Sequence, residues 1–322
     1  MEACHSSEQF NVTSYAATSV AIVILEAFAG MWINAFIVSV ICVAWVKKKT
    51  LNSNEKILLV LGSSRFWFLS FSWLYYFLST MYRNYQYVHP IFQLLAIAHR
   101  FFNCSEVSVS ACLCVFYCIK IANFRNSFFI YLKVKIDRMV PWLLLGSVLF
   151  SLVIGILLFE IIDKPQCNNS TGLENLWKVK IKIDEHFLPI YFITGFGYAA
   201  SFMAVILSVL LLLFSLWRHK CNMQTNSMKD LSVDAHIKAM KSILSFFVMY
   251  NINIISLIVT IIYSAEGKSV MMFLIYVFQY AFPGVHSLIL IFSNSKLKNT
   301  LLRILPCEKS VRRKEWRHLV MM

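Results

Sequence analysis

Arg65 stands inside a run of apolar residues, Ile57–Thr80, where a guanidinium finds little water. An ionised side chain in such a run needs a partner or a water-filled cavity. Asn34, His286 and Ser287 lie in two other apolar runs and supply the acceptors a guanidinium requires. The chemistry this predicts is a hydrogen-bond network locking three helices together, rather than a direct contact with a ligand. Glu26, in the outer half of the first run, could face the lipid interface or point into a cavity. Catalytic signatures are missing: there is no G-x-S-x-G elbow, no H-E-x-x-H pair and no phosphate-cradling glycine loop. No pair of cysteines has zinc-site spacing with histidines nearby. Neither an enzyme, a metal site nor a cofactor is expected.

The nine cysteines carry weaker signals. Cys112, Cys114 and Cys118 cluster in one apolar run and read as small packing residues. Cys104 and Cys167 could meet on an oxidising outer face and form a disulfide. Cys307 follows the last apolar run, where palmitoylation and an unmodified tail thiol are both open.

The elements that must position these residues are membrane spans. Hydrophobic residues make up 59% of the 322-residue chain and charged residues only 14%, too apolar for a soluble domain of this length. A bilayer core about 30 Å thick takes roughly 20 apolar residues per helix. Seven stretches qualify: Ala17–Val46, Ile57–Thr80, Ile91–Ala122, Val140–Ile162, Phe187–Trp217, Ile243–Tyr263 and Val270–Phe292. His99, Arg100 and Glu106 interrupt the third, whose true start could lie several residues later. No period-2 alternation supports a membrane barrel, and no internal repeat supports an inverted-repeat transporter. The expected organisation is a short outer segment at 1–16, an all-α seven-helix membrane domain over 17–292 and a short basic tail at 293–322.

Charge orients the bundle. Lys47, Lys48, Lys49 and Lys56 precede the second run, and Lys120, Arg125, Lys133, Lys135 and Arg138 lie between the third and fourth. Arg218, Lys220, Lys229, Lys238 and Lys241 fill the segment between the fifth and sixth, and the tail is rich in Lys and Arg. The intervening segments on the other side hold far fewer, so the amino terminus is expected outside and the carboxyl terminus in the cytoplasm. The net charge of +14 is thus a topology signal and an attraction to anionic membrane lipid, not a nucleic-acid surface. Glycosylation sequons agree: Asn11-Val12-Thr13 lies in the first outer segment, and Asn168 and Asn169 head two overlapping sequons before the fifth run. A further match at Asn103 sits close to the membrane.

Several longer motifs resemble the type 2 taste receptors, the vertebrate bitter receptors. The stretch C-L-C-V-F-Y-C-I-K-I-A-N-F over 112–124 is similar to that family's close of helix three. F-S-L-W-R-H-K-C-N-M over 214–223 resembles its end of helix five, and D-A-H-I-K-A-M-K-S over 234–242 its start of helix six. H-S-L-I-L-I-F-S-N-S-K-L-K over 286–298 resembles helix seven, Ser64-Arg65 the helix-two pair, Asn34 the helix-one asparagine and V-P-W-L-L-L-G-S over 140–147 the start of helix four. The likeness covers nearly the whole chain in order. There is no D/E-R-Y after helix three and no N-P-x-x-Y on helix seven, which sets the chain apart from rhodopsin-like receptors.

The resemblance implies a G-protein-coupled receptor of the plasma membrane. Small bitter compounds would bind an outer cavity among the helices, and a heterotrimeric G protein of the gustducin type would be activated on the cytoplasmic face. Tyr76, Ser108, Cys112, Asn253 and Tyr276 are the ligand-binding candidates by alignment, and Lys120, Asn123, His219, His236 and Lys241 fall on the G-protein face. Plain charge at a helix end is an equal account of Lys120 and Lys241, and solvated loop positions an equal account of the histidines. Ser108 stands where many members carry Trp, and Tyr276 where some carry Glu. Loss of a stacking surface and of a counter-charge implies a roomier, more neutral pocket. Competing readings are a pheromone-type receptor of the vomeronasal group and a small-solute transporter.

Overall fold

A backbone in hydrocarbon must satisfy its own N–H and C=O groups, and long apolar stretches do so as helices. The computed structural model describes residues 14–81, 89–122, 124, 126–162, 188–223, 244–245, 247–248, 250–252, 254–255 and 269–304. Its elements are α1 (Ser14–Lys48), α2 (Ser53–Met81), α3 (His89–Ile121), α4 (Ser127–Ile162), α5 (Leu188–Met223), α6 (Ser269–Ser293) and α7 (Ser295–Ile304). Here α6 is the seventh apolar stretch. Of the sixth, 243–263, only short helical pieces are described. Among the described residues six helices are long and apolar enough to cross a membrane, and no strand occurs.

Side chains near the helix ends explain why the chain turns where it does. Lys49 closes α1 in the left-handed region, with φ 56°. At the start of α2 the Asn52 N–H donates to Glu55 Oε2 at 3.1 Å, half of a capping box. Asn126 Oδ1 accepts the Phe128 N–H at 3.0 Å to open α4. Between α6 and α7, Asn294 Oδ1 accepts the N–H of Lys296 at 3.0 Å and of Leu297 at 3.4 Å, so one residue ends the span and caps the next helix.

Packing puts α3 at the centre, against α2, α4 and α5, while α1 joins α2 to α6. The α1–α6 contact is unusually close. A Cβ built at Gly284 would lie 3.3 Å from the Gly30 Cα, and one at Gly30 would meet Leu69 Cδ1 at 2.6 Å. Small residues allow such approach where helix backbones touch. Away from this seam α4 and α5 turn Trp142, Phe196, Leu207 and Leu210 outward, an apolar face suited to acyl chains.

The helices run past the apolar stretches that announce them. α4 begins at Ser127 rather than near Val140, so Lys133, Lys135 and Arg138 ride on a helix and not in a loop. Charged residues are good helix formers once a helix leaves hydrocarbon, and hydropathy does not register that extension. α5 continues to Met223 instead of stopping at Trp217. α3 runs unbroken from His89, because its polar residues meet partners rather than lipid. The expected tail contains α7, an amphipathic helix whose Leu297 is buried.

Candidate functional site

Arg65 on α2 is fully buried, and its guanidinium reaches two neighbouring helices. Nε donates to Glu106 Oε1 on α3 at 3.0 Å, and Nη2 to Ser110 Oγ at 3.3 Å. Towards α6, Nη1 donates to Ser287 Oγ at 2.9 Å, and Nη2 meets His286 Nδ1 at 2.5 Å. Since an arginine only donates, His286 Nδ1 accepts and the neutral ring carries its proton on Nε2. Ser287 passes the network on: its Oγ donates to Asn34 Oδ1 at 2.7 Å, and Asn34 Nδ2 donates to the Gly30 carbonyl at 2.8 Å. The Phe282 ring lies beside the guanidinium, 5.7 Å from Cζ to centroid. One side chain thus joins α2, α3 and α6, and α1 through a single serine. A planar fork of five donors suits this task; an ammonium would not reach so many partners.

Asn34, Arg65, His286 and Ser287 are therefore all in one place. The residue that sequence reasoning missed is Glu106, seen only as an interruption of the third stretch. An acidic residue and a basic one, each alone in an apolar run, are a pair to be tried together, because neither is stable there unpaired. Ser110, one helical turn beyond Glu106, could have been found by the same face of α3. A parallel contact, Ser64 Oγ to Ser105 Oγ at 3.0 Å, adds a second tie between α2 and α3.

The ligand candidates divide. Tyr76 and Tyr276 meet edge to face with centroids 5.2 Å apart, and Tyr276 stacks on Tyr280 at 5.8 Å. His99 lies between Phe68 and Tyr75, at 5.2 and 6.1 Å. These rings build an aromatic end between α2, α3 and α6. Cys112 is elsewhere: its Sγ lies 3.4 Å from Ser147 Oγ on α4. Ser108 shares its stripe of α3 with Cys104 and Cys112, four residues apart, and hydrogen-bonds Cys104. Cys112 thus meets α4, while Tyr76 and Tyr276 meet each other across α2 and α6. Asn253 lies outside the described residues.

At the opposite end, Lys120 Nζ on α3 bonds Asp137 Oδ2 on α4 at 2.6 Å. Tyr117 donates from its hydroxyl to Asn54 Oδ1 at 3.2 Å, and Lys296 of α7 pairs with Glu55 of α2. This basic end is held by ion pairs rather than by apolar packing alone. His219 belongs to α5, while Asn123, His236 and Lys241 lie outside the described residues. So do Asn11, Asn168, Asn169, Cys167 and Cys307. Cys104 is a buried thiol on α3, and Cys167, its suggested disulfide partner, lies outside the described residues. Asn103 is buried within α3, which removes it as a glycan acceptor.

Known proteins carry the same arrangement of sequence. A model of the taste receptor protein (TAS2R) family matches residues 12–309. The chain is 31% identical over 296 residues to mouse taste receptor type 2 member 41, covering 88% of this chain and 93% of that one. It is 30% identical over 294 residues to human taste receptor type 2 member 2, covering 89% and 95%. A match of this extent places the whole membrane domain inside one family. The chain belongs to the type 2 taste receptors.

Proposed function

We propose that this multi-pass membrane protein is a bitter taste receptor whose aromatic end faces outside and whose basic end faces the cytoplasm. Residues 243–263 form the remaining span of a seven-helix bundle. Small bitter compounds enter at the aromatic end, where the rings of Tyr76 and Tyr276 meet edge to face, with Asn253 as a further polar contact. With Tyr276 where some family members carry Glu, this end lacks that counter-charge and favours uncharged or larger compounds over small alkaloid cations. Ser108 and Cys112 are the α3 candidates for the ligand, and the Cys112 contact with Ser147 ties that stripe to α4. The basic end, with Lys120, Asn123, His219, His236 and Lys241, meets a G protein of the gustducin type.

The observation that carries this reading is the buried Arg65 network, which lies between the two ends and touches four helices. A ligand shifts a receptor only by its different affinity for two helix arrangements. A lock with discrete hydrogen bonds supplies two such arrangements, made and broken. The test is calcium release in cells expressing the chain with and without a gustducin-type α subunit, against a panel of bitter compounds. Saturable, G-protein-dependent responses support the reading; responses indifferent to the α subunit contradict it.

A further inference from the structure

At the basic end an open cavity of about 520 Å³ lies among the start of α2, the end of α3 and Asp137 of α4. Lys56 and Lys120 line it with Asp137, Asn52, Leu51 and Phe116. Asp137 is the single carboxylate among these lining residues, and Lys120 holds it at 2.6 Å. Ser53 Oγ donates to the Asp137 backbone carbonyl at 3.4 Å, which pins that stretch of α4 against the cavity. Lys56 attracts the same carboxylate but forms no ion pair among the described residues. Glu55 does not compete, being engaged by Lys296. Two ammonium groups therefore share one half-exposed carboxylate at the cavity mouth, leaving one positive charge beside amide and hydroxyl groups.

The cavity also sits at the rim of the membrane domain. Beyond Asp137, α4 exposes Met139, Trp142 and Leu145, an apolar face for acyl chains, while Leu51 and Phe116 give the cavity an apolar wall. Soluble anions have no use for such a wall, whereas a lipid brings an anionic head and an apolar body together. Anionic lipids concentrate on the cytoplasmic leaflet, where basic side chains near the surface each add to binding.

We propose that this cavity is a site for the phosphate headgroup of an anionic lipid, with Lys56 and Lys120 as its two cationic contacts. Asp137 competes with the phosphate for Lys120. The bound phosphate replaces Asp137 on Lys120 and draws in Lys56, which loosens the tie between α3 and α4 at the end that meets the G protein. The choice of a lipid rests on reading this end as cytoplasmic.

The test uses the full-length protein in phosphatidylcholine nanodiscs, with acyl-labelled phosphatidic acid as the probe. Both leaflets are open there, so binding is read independently of topology; tail-epitope accessibility in intact cells tests topology separately. Wild type binds the probe saturably. Lys56→Gln and Lys120→Gln each weaken binding about fivefold, the loss of one basic contact with an anionic headgroup. Asp137→Asn tightens it, because the internal competitor is gone. Lys133→Gln, outside the cavity, leaves it unchanged, and free inorganic phosphate does not displace the lipid. Thermal unfolding of each variant is recorded alongside, and Lys56→Gln, which breaks no ion pair seen here, decides if Lys120→Gln unfolds. Weaker binding by Asp137→Asn, or equal losses in Lys133→Gln and Lys56→Gln, would overturn the site. Displacement by inorganic phosphate would overturn the lipid.

Discussion

Arg65 and Glu106 face each other across α2 and α3 with 3.0 Å between Nε and Oε1, and neither side chain reaches solvent. Removing one partner strands the other charge in an apolar interior, at a cost of about 3–5 kcal/mol. Glu106→Ala should therefore lower surface expression and thermal stability sharply. The double variant Arg65→Met with Glu106→Met should be more stable than either single Ala variant, since neither charge is left alone. Unfolding of purified protein in detergent measures this. Equal stability of Glu106→Ala and wild type would show that the pair holds nothing.

Gly30 and Gly284 let α1 and α6 touch, one helical turn from Asn34 and close to Ser287. Gly30→Ala places a methyl 2.6 Å from Leu69 Cδ1. Overpacking of this kind costs about 1–3 kcal/mol. Leu69→Ala should therefore cost less in the Gly30→Ala background than in wild type, because it makes room for the methyl, and thermal unfolding of both singles and the double reads the difference. A double variant that falls by the sum of both singles would place the clash elsewhere.

The aromatic end and the α3–α4 seam should answer differently to substitution. Tyr276→Ala removes a ring that contacts both Tyr76 and Tyr280, so agonist potency should shift by amounts that depend on the compound. Stacking contacts of this type are worth about 0.5–1.5 kcal/mol beyond their area. Ser108→Trp instead forces bulk into the face that carries Cys104 and Cys112, and should depress expression and every agonist alike. Dose–response curves normalised to surface protein separate the two. An agonist-selective effect of Ser108→Trp would return that residue to the pocket.

Much of this was legible in the sequence. Hydropathy marks the spans because an all-helical membrane protein must spend long apolar runs to cross a bilayer. Arg65, Asn34, His286 and Ser287 announce themselves because polar groups in such runs need each other. Glu106 is equally visible, but a lone charge in an apolar run reads as a defect of its own helix before it reads as the partner of another. The early start of α4 and the presence of α7 were hidden, since both are amphipathic or charged and depend on caps at Asn126 and Asn294. Which way α3 turns Ser108 and Cys112 was hidden too. Helical register fixes which residues share a stripe, but only packing fixes what that stripe faces.

Topology has its own check. Asn168 or Asn169 should carry glycan, with Asn11 as a second acceptor, and glycosidase treatment should change mobility. Replacing all three with Gln should abolish the shift. Since Asn103 is buried, a shift that survives the triple replacement would contradict the placement of α3.

The central claim is that a ligand at the aromatic end drives a G protein at the basic end. Nucleotide exchange on a purified gustducin-type α subunit, stimulated by the chain in nanodiscs, measures that claim without cellular intermediates. Bitter compounds should raise the exchange rate saturably. Tyr276→Ala should move the concentration needed while keeping the maximum, and Lys120→Glu should lower the maximum while keeping the concentration. Folded protein that accelerates exchange with no compound in a broad bitter panel, or variants whose effects are reversed, would contradict the account.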